Sequence, residues 1–439
     1  MKLRFAPSPT GYLHVGNARL AVANDLLAKR NGGEFLLRLD DTDLERSKPE
    51  YAEAIEHDLK WLGLSWALVV KQSDRLSLYE AAAERLKAAG KLYPCFESEE
   101  ELKAKREAKQ KRGMAPVYDR AMLRLTAEQR AQAEANGKKP YWRFMLSPRT
   151  VEWDDMIQGP RKVKLGAISD PVLIREDGSP LYTFTSVVDD LLMGITHVIR
   201  GEDHVTNTGV QIDIFEALGG NPAKVKFAHL PLLMDDDGGK LSKRIGSLSL
   251  RGLRQDGMEP MAVTSYLARL GTSDDPEPLS LDQLARDFDL AHFSKSAARF
   301  DMRQMMALNR RVLHGLSFAD VRDRLPEGAT EVFWEAVKGN LDLLNEARGW
   351  WDVIGGDIVP PVQEGEEEFL ATARDLLPEG EWDLGTWSAW TEAVKNATGR
   401  KGKALFHPLR LALTGEEQGP ELKVLLPLIG RERALQRLR

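Results

Sequence analysis

The chain has one cysteine, Cys95, among 439 residues. A single thiol rules out an internal disulfide and a multi-cysteine zinc site. A reducing, cytoplasmic setting is the expectation that fits. Long hydrophobic runs are also missing. No apolar stretch approaches the roughly 20 residues that span a bilayer, so no membrane partner is expected. The opening MKLRFAPSPTG has no long apolar core and meets proline at position 7, so no signal peptide is read there. Net positive charge is lacking too. Lys and Arg number 61 against 67 Asp and Glu, a balance of −6, which opposes wholesale coating of nucleic acid. Neither internal repeats nor long low-complexity tracts interrupt the pattern.

What is present is globular: 42% hydrophobic and 29% charged residues. The length exceeds one compact core and implies two to four domains. Positive charge is gathered into three clusters. They are Lys103, Lys105, Arg106, Lys109, Lys111 and Arg112; Arg400, Lys401 and Lys403; and Arg431, Arg433, Arg437 and Arg439. Each alone reads best as a solvated helix face. Together they leave room for a long polyanion.

The first part alternates strand and helix. KLRFA is a strand, and NARLAVANDLLAKRNGG is a helix with Leu20, Ala23, Leu26 and Leu27 on one face, stopped by Gly32 and Gly33. EFLLRL is a second strand with DDTD at its carboxyl end. This alternation implies an α/β fold with a parallel sheet and right-handed crossovers, and ligands bind such sheets at the carboxyl ends of the strands. APSPTGYLHVGN and DDTD would both lie there. Residues 95–175 read as an α+β insertion with a charged helix and β hairpins. The α/β pattern then resumes and ends in the glycine-rich DDDGGKLSKR. Beyond residue 250 the chain is mostly helical, with a Gly-Pro-Glu-rich surface linker at GGDIVPPVQEGEEE.

Two stretches carry chemistry. At the first strand-to-helix turn, His14 and Asn17 stand at i and i+3 and can both donate hydrogen bonds to phosphate. The helix start offers free N–H groups and the positive end of its dipole. Gly11 and Gly16, without Cβ, let a ligand approach the backbone. Ordinary turn punctuation, with Asn17 as a cap, is the bland alternative and would win for the quartet alone. In GGKLSKR, Lys240 and Lys243 could clamp negative charge developing on a polyphosphate. The spacing is not that of a P-loop, and alone the segment is a basic surface loop.

Taken together, PSPTGYLHVGN resembles the HIGH signature, and KLSKR the KMSKS signature, of class I aminoacyl-tRNA synthetases. RFAPSPTG, RLDDTD, VVDDLLMGITHVIRGEDH and FAHLPLLM narrow the resemblance to the glutamyl-tRNA synthetases. HPLRLALTGEEQGPELKVLLPLIGRERALQRL resembles their helical, bacterial-type anticodon-binding end. The resemblance implies a Rossmann-type catalytic domain over 1–94 and 176–250, split by an acceptor-end-binding insertion at 95–175. A stem-contact region at 251–312 and an anticodon-binding region at 313–439 would follow.

The resemblance also implies a reaction. Glutamate is activated by Mg²⁺-ATP to glutamyl-adenylate, and the glutamyl group passes to tRNA-Glu. His14 and Asn17 would serve the ATP phosphates, with Gly11 and Gly16 beside them. Lys240 and Lys243 would stabilise the departing pyrophosphate. Arg4, Ser8, Asp40, Tyr182, Ser186 and Arg200 would form the glutamate pocket. Arg200 would read the side-chain carboxylate and Asp40 the ammonium. No side chain need act as nucleophile. The alternative for Arg200 is a structural ion pair with Glu202 or Asp203.

Three departures stand out. Asp40 occupies a position often held by Glu in bacterial relatives. Ser186 replaces a common pocket Asn. Cys95 alone remains of the cysteines that make a zinc knuckle in many members, so no zinc is expected. An arginine found in discriminating relatives is not apparent in EAVKGNLDLL, which leaves tRNA-Gln open as a second substrate. Trp350 and Trp351 are open between stacking on anticodon bases and packing in a core. A monomer is expected. Rival readings are a glutaminyl-tRNA synthetase, the related enzyme that glutamylates queuosine in tRNA-Asp, a small nucleotidylyltransferase, and a decayed tRNA-binding paralogue.

Overall fold

The structure, a computed structural model, describes residues 1–439 apart from 236–238, 240–247, 362 and 439. It divides into two compact units. One comprises Met1–Gly252 with Val263–Asp301, the other Leu253–Ala262 with Met302–Arg439.

The first unit is built on a seven-stranded sheet. Its strands are β1 (Lys2–Phe5), β2 (Glu34–Leu39), β3 (Leu68–Lys71), β6 (Thr150–Asp155), β7 (Gly159–Lys164), β9 (His197–Gly201) and β10 (Lys226–Leu230), in the order β3-β2-β1-β9-β10-β6-β7. Every pairing is parallel except the β6–β7 hairpin at the edge. The expected α/β parallel sheet is therefore present. β1 and β2 are buried along almost their whole length, Arg4 and Arg38 included, as befits strands covered on both faces. From β1 the chain moves outward through β2 and β3, and returns on the other side as β9 and β10. The β1/β9 boundary is thus the switch point, where a crevice opens at the carboxyl ends.

The helix α1 (Val15–Arg30) follows β1. It is buried on almost every side from Ala18 to Ala28, rather than along one apolar stripe. Small residues and the internally bonded Asn24 and Asp25 make this possible. Asn24 donates to the Leu20 carbonyl at 2.8 Å, and Lys29 pairs with Asp25 at 2.6 Å. Helices α2 (Pro49–Trp61) and α3 (Leu76–Ala88) complete this half, α2 with proline at its start, where the missing N–H costs nothing.

Residues 95–175 do not form one separate body. β4 (Leu92–Cys95), β5 (Tyr141–Phe144) and β8 (Val172–Ile174) make a small antiparallel sheet of their own. The β6–β7 hairpin instead joins the large sheet beside β10. Strand alternation looks the same in both, so pairing partners were hidden from sequence reading. Helices α4 (Glu99–Lys111) and α5 (Ala127–Ala135) have no fully buried residue, and each starts with a capping box. Within α4, Lys105 pairs with Glu97 and Lys109 donates to the Val117 carbonyl, while Lys103, Arg106, Lys111 and Arg112 are exposed.

The second unit is helical around a core that includes Phe333, Trp334, Trp390, Leu409 and Leu426. Trp351 sits edge-to-face on Phe333 at 5.0 Å, and both Trp350 and Trp351 pack against this core. Arg437 is buried, donating to the carbonyls of Leu413 and Gly356 at 2.7 and 2.8 Å.

Candidate active site

A cleft of about 720 Å³ opens where β1, β9 and β10 end. Arg4, Ser8, His14, Gly16, Asn17, Tyr182 and Arg200 line it, brought together from sequence positions nearly 200 apart. Gly11, Asp40 and Ser186 are not among its lining residues. Lys240 and Lys243 lie outside the described residues.

His14 is the N-cap of α1. Its Nδ1 accepts from the backbone N–H of Gly16 (3.1 Å) and Asn17 (3.4 Å). The remaining first-turn donors are also taken, Val15 by the Leu248 carbonyl and Ala18 by the His14 carbonyl. The expectation of free backbone N–H groups is thereby corrected, and so is the reading of Asn17 as the cap. The helix start presents side chains and dipole rather than bare amides. With Nδ1 accepting, the neutral ring carries its proton on Nε2, and burial holds its pKa below the ordinary range. The Asn17 amide makes no side-chain hydrogen bond among the described residues and remains available as a donor. Gly16 is required by this cap, because a Cβ there would stand 2.9 Å from His14 Cε1. Around Gly11, a Cβ would meet nothing within 4 Å.

Below the cleft lies a buried charge network. Asp190 accepts from Arg4 Nε (2.9 Å), Arg4 Nη2 (3.1 Å) and Arg38 Nη1 (2.7 Å). Burial raises its pKa, but the two guanidinium groups outweigh that and hold it low. Arg4 keeps Nη1 without a partner among the described residues. Asp40 gives both oxygens to Arg38. Ser186 donates to the Tyr182 carbonyl (2.7 Å) and accepts from Gln211 (2.7 Å), so it supports the Tyr182 helix α6 (Tyr182–Leu192) from behind.

Arg200 differs in kind. Its partners among the described residues are all neutral: Tyr182 Oη at 3.1 Å, Thr208 Oγ1 at 2.5 Å and His229 Nε2 at 3.4 Å. Glu202 accepts from the Leu232 N–H instead, and Asp203 faces His204. The structural ion pair with Glu202 or Asp203 does not form. Burial lowers the Arg200 pKa, as expected of a cation that no carboxylate among the described residues pairs directly.

Sequence reading missed several supports. Arg19 lines the cleft and donates to the carbonyls of Pro231 (2.8 Å) and Leu270 (2.9 Å), and burial brings its pKa down to about 10. It thereby anchors the segment that precedes Lys240 and Lys243 in the sequence. At the other end, Ser249 bridges to His14, and Leu250 donates to the Leu13 carbonyl at 2.8 Å. His204 also lines the cleft, its ring edge-on to Tyr182 at 5.6 Å. The Asp189–Asp190 doublet was the visible signal for the network, since paired acids inside an apolar helix demand cations.

A parallel sheet with a nucleotide-sized cleft at its switch point, entered by a His-capped helix, defines the catalytic fold of the class I tRNA synthetases. Residues 1–307 match the family described as tRNA synthetases class I (E and Q), catalytic domain, and residues 361–439 match an anticodon binding domain. The chain is 67% identical to glutamate–tRNA ligase 2 of Granulibacter bethesdensis, covering 99% of this chain and 97% of that one. It is 64% identical to glutamate–tRNA ligase 2 of Gluconacetobacter diazotrophicus, covering 100% and 99%. The crystal structure of a glutamate tRNA ligase from Elizabethkingia meningosepticum in complex with its amino acid superposes with a TM-score of 0.84 at 27% identity, covering 100% of this chain and 98% of that one. The chain belongs to the glutamate–tRNA ligases, ATP-using aminoacyl-tRNA synthetases of class I.

Proposed function

We propose that this cleft activates glutamate with ATP and that the chain transfers the glutamyl group to the 3′ end of tRNA-Glu. The observation that carries the reading is Arg200, a buried guanidinium whose partners among the described residues are all neutral, facing the same cleft as His14 and Asn17. Such a cation is matched by a substrate carboxylate. Glutamate is held by Arg200 and Tyr182 at its side chain and by Arg4 and Ser8 elsewhere. Asp40, already engaged by Arg38, offers only its remaining lone pairs toward the ammonium. Ser186 supports the pocket through Tyr182 rather than lining it.

The glutamate α-carboxylate attacks the α-phosphorus of ATP, and pyrophosphate leaves. The His14 Nε2–H and the Asn17 amide donate to phosphate oxygens. Lys240 and Lys243 neutralise the departing pyrophosphate, and Mg²⁺ arrives with ATP. No zinc enters the reading. Cys95 is a buried thiol pushed up to about 11 by burial, 3.8 Å from the Tyr118 hydroxyl, which is a poor setting for a thiolate ligand. The region 95–175 is assigned to the acceptor end, apart from the β6–β7 hairpin. Residues 251–312 are assigned to stem contacts and 313–439 to the anticodon. The enzyme works as a cytoplasmic monomer. Among the described residues no helix is long and apolar enough to cross a membrane.

Aminoacylation of purified tRNA-Glu and tRNA-Gln, assayed separately with glutamate and with glutamine, tests the reading. Charging of tRNA-Glu with glutamate is expected. Additional charging of tRNA-Gln with glutamate would make the enzyme non-discriminating. Charging of neither, or a preference for glutamine, overturns the proposal.

A further inference from the structure

We propose that His229 is a positioning residue for glutamate selectivity: its neutral ring holds the Arg200 guanidinium in aim without neutralising it. The inference rests on Arg200 reading the substrate's side-chain carboxylate.

The arrangement follows from the sheet. On the paired parallel strands β9 and β10, Arg200 is in register with His229, so both side chains leave the same face. Asp155 ends the next strand, β6, which pairs with β10. His229 is fully buried, and its Nδ1 lies 2.5 Å from Asp155 Oδ2. The other Asp155 oxygen accepts three backbone N–H groups, from Ile157 (3.1 Å), Gln158 (2.9 Å) and His229 itself (3.1 Å). A carboxylate facing only donors is ionised, so the imidazole proton sits on Nδ1 and Nε2 presents a lone pair. That lone pair faces Arg200 Nε at 3.4 Å and Thr208 Oγ1 at 2.9 Å. Burial keeps the ring neutral against the pull of Asp155, and the Arg200 charge acts in the same direction.

The chemistry of the position is narrow. A carboxylate against Arg200 Nε would form an ion pair and cancel the charge meant for the substrate. An apolar side chain would strand a buried N–H. A neutral acceptor avoids both. A guanidinium has five N–H donors. Three go to His229, Tyr182 and Thr208, which leaves one on each Nη nitrogen. Two remaining donors suit the two oxygens of a carboxylate and oppose the NH₂ of an amide. His229 thus sets the pose in which glutamate is accepted and glutamine refused.

The test compares two variants of the full-length enzyme in aminoacylation of tRNA-Glu. In His229→Asn the amide takes roughly the place of Nδ1, keeping the Asp155 bond and losing the acceptor for Arg200. In His229→Gln the amide reaches roughly to Nε2, keeping a neutral acceptor and losing the Asp155 bond. His229→Asn is expected to raise the glutamate KM by about tenfold or more and to cut discrimination against glutamine by a similar factor. The ATP KM stays within about twofold, and His229→Gln is the milder variant for glutamate. A merely structural histidine gives the opposite order. Equal or greater damage from His229→Gln, or parallel rises in both KM values, overturns the proposal. If His229→Asn does not fold, Thr208→Val removes another neutral partner at constant shape. A rise of about tenfold in glutamate KM then supports the inference, and no change overturns it. Arg200→Gln in the same assay separates the two levels. An unchanged glutamate KM there defeats the reading of Arg200 itself, whereas a raised KM beside an innocuous His229→Asn defeats only the role of His229.

Discussion

Arg38 closes on Asp40, two residues further along the chain, with Nε to Oδ1 at 2.7 Å and Nη2 to Oδ2 at 3.2 Å. Its third nitrogen reaches Asp190 at 2.7 Å, and Asp189 lies 3.8 Å away. Arg4 and Arg75 supply the other cations, so three acids and three bases balance beneath the cleft. Breaking such a set is costlier than never building it, because the remaining charges stay buried. Arg38→Leu leaves Asp40, Asp189 and Asp190 with two cations. We expect a loss of about 3–5 kcal/mol in urea unfolding. A loss below about 1 kcal/mol would mean that water or a rearranged neighbour compensates.

Gly16 separates activity from stability. A Cβ at this position would stand 2.9 and 3.0 Å from His14 Cε1 and Nδ1, both in a side chain that can move. Gly16→Ala therefore pushes the imidazole off its cap while improving helix propensity by about 1 kcal/mol. We expect adenylate formation to fall by roughly tenfold or more, through a displaced donor, with the melting temperature little changed, because the lost cap offsets the gain in propensity. Gly11→Ala, with open space and no positive φ, is expected to leave stability unchanged. Equal activity of the two variants would show that the His14 cap is not needed for phosphate contact.

Lys243 is known here through its resemblance to the KMSKS signature, since it lies outside the described residues. The flanking chain is nevertheless tied to the cleft by Arg19 at Pro231 and by the His14–Ser249 bridge. Lys243→Ala is expected to slow activation by at least roughly 10²-fold, the cost of one transition-state donor. Near-normal pyrophosphate exchange would remove Lys243 from the site.

Much of the site was legible because adjacent residues carry it. The His14–Asn17 quartet and the strand before it announce themselves by composition, and the sheet follows from alternation. Environment was not legible. That Arg4 and Arg38 share Asp190, whereas Arg200 has only neutral partners among the described residues, depends on strand order. The pairing of β6 with β10, which brings Asp155 to His229, spans 74 residues and left no local trace. The supposed free amides of α1 failed for a similar reason. Whether a first turn is bare depends on what returns to meet it, here Leu248.

Acid should weaken the fold before any carboxylate of ordinary pKa titrates. His14, His197, His204 and His229 all have pKa values lowered by burial. Below the ordinary histidine value of about 6.5, the unfolded chain binds protons that the folded chain refuses, so stability falls as pH falls. Asp25 and Asp40, which burial pushes upward, act in the opposite sense but are fewer. Urea midpoints measured from pH 7.5 to 5.5 should decline steadily. A flat profile would show that these imidazoles protonate in place.

Trp351 distinguishes packing from base stacking in the helical unit. Its ring lies edge-to-face on Phe333 at 5.0 Å and packs against the buried core. Trp350 is close enough to Gly419 that a Cβ there would fall 2.1 Å from the ring. Both tryptophans are half-buried, so removal of Trp351 forfeits apolar burial and one aromatic pair. Trp351→Ala is expected to cost about 2–3 kcal/mol. If the ring serves the core, Trp351→Phe recovers most of that stability, and the KM for tRNA-Glu returns with it. If the ring stacks on a base, tRNA binding weakens in Trp351→Ala at unchanged stability. Paired urea melts and tRNA titrations on the two variants separate these cases, and the edge-to-face contact favours the core.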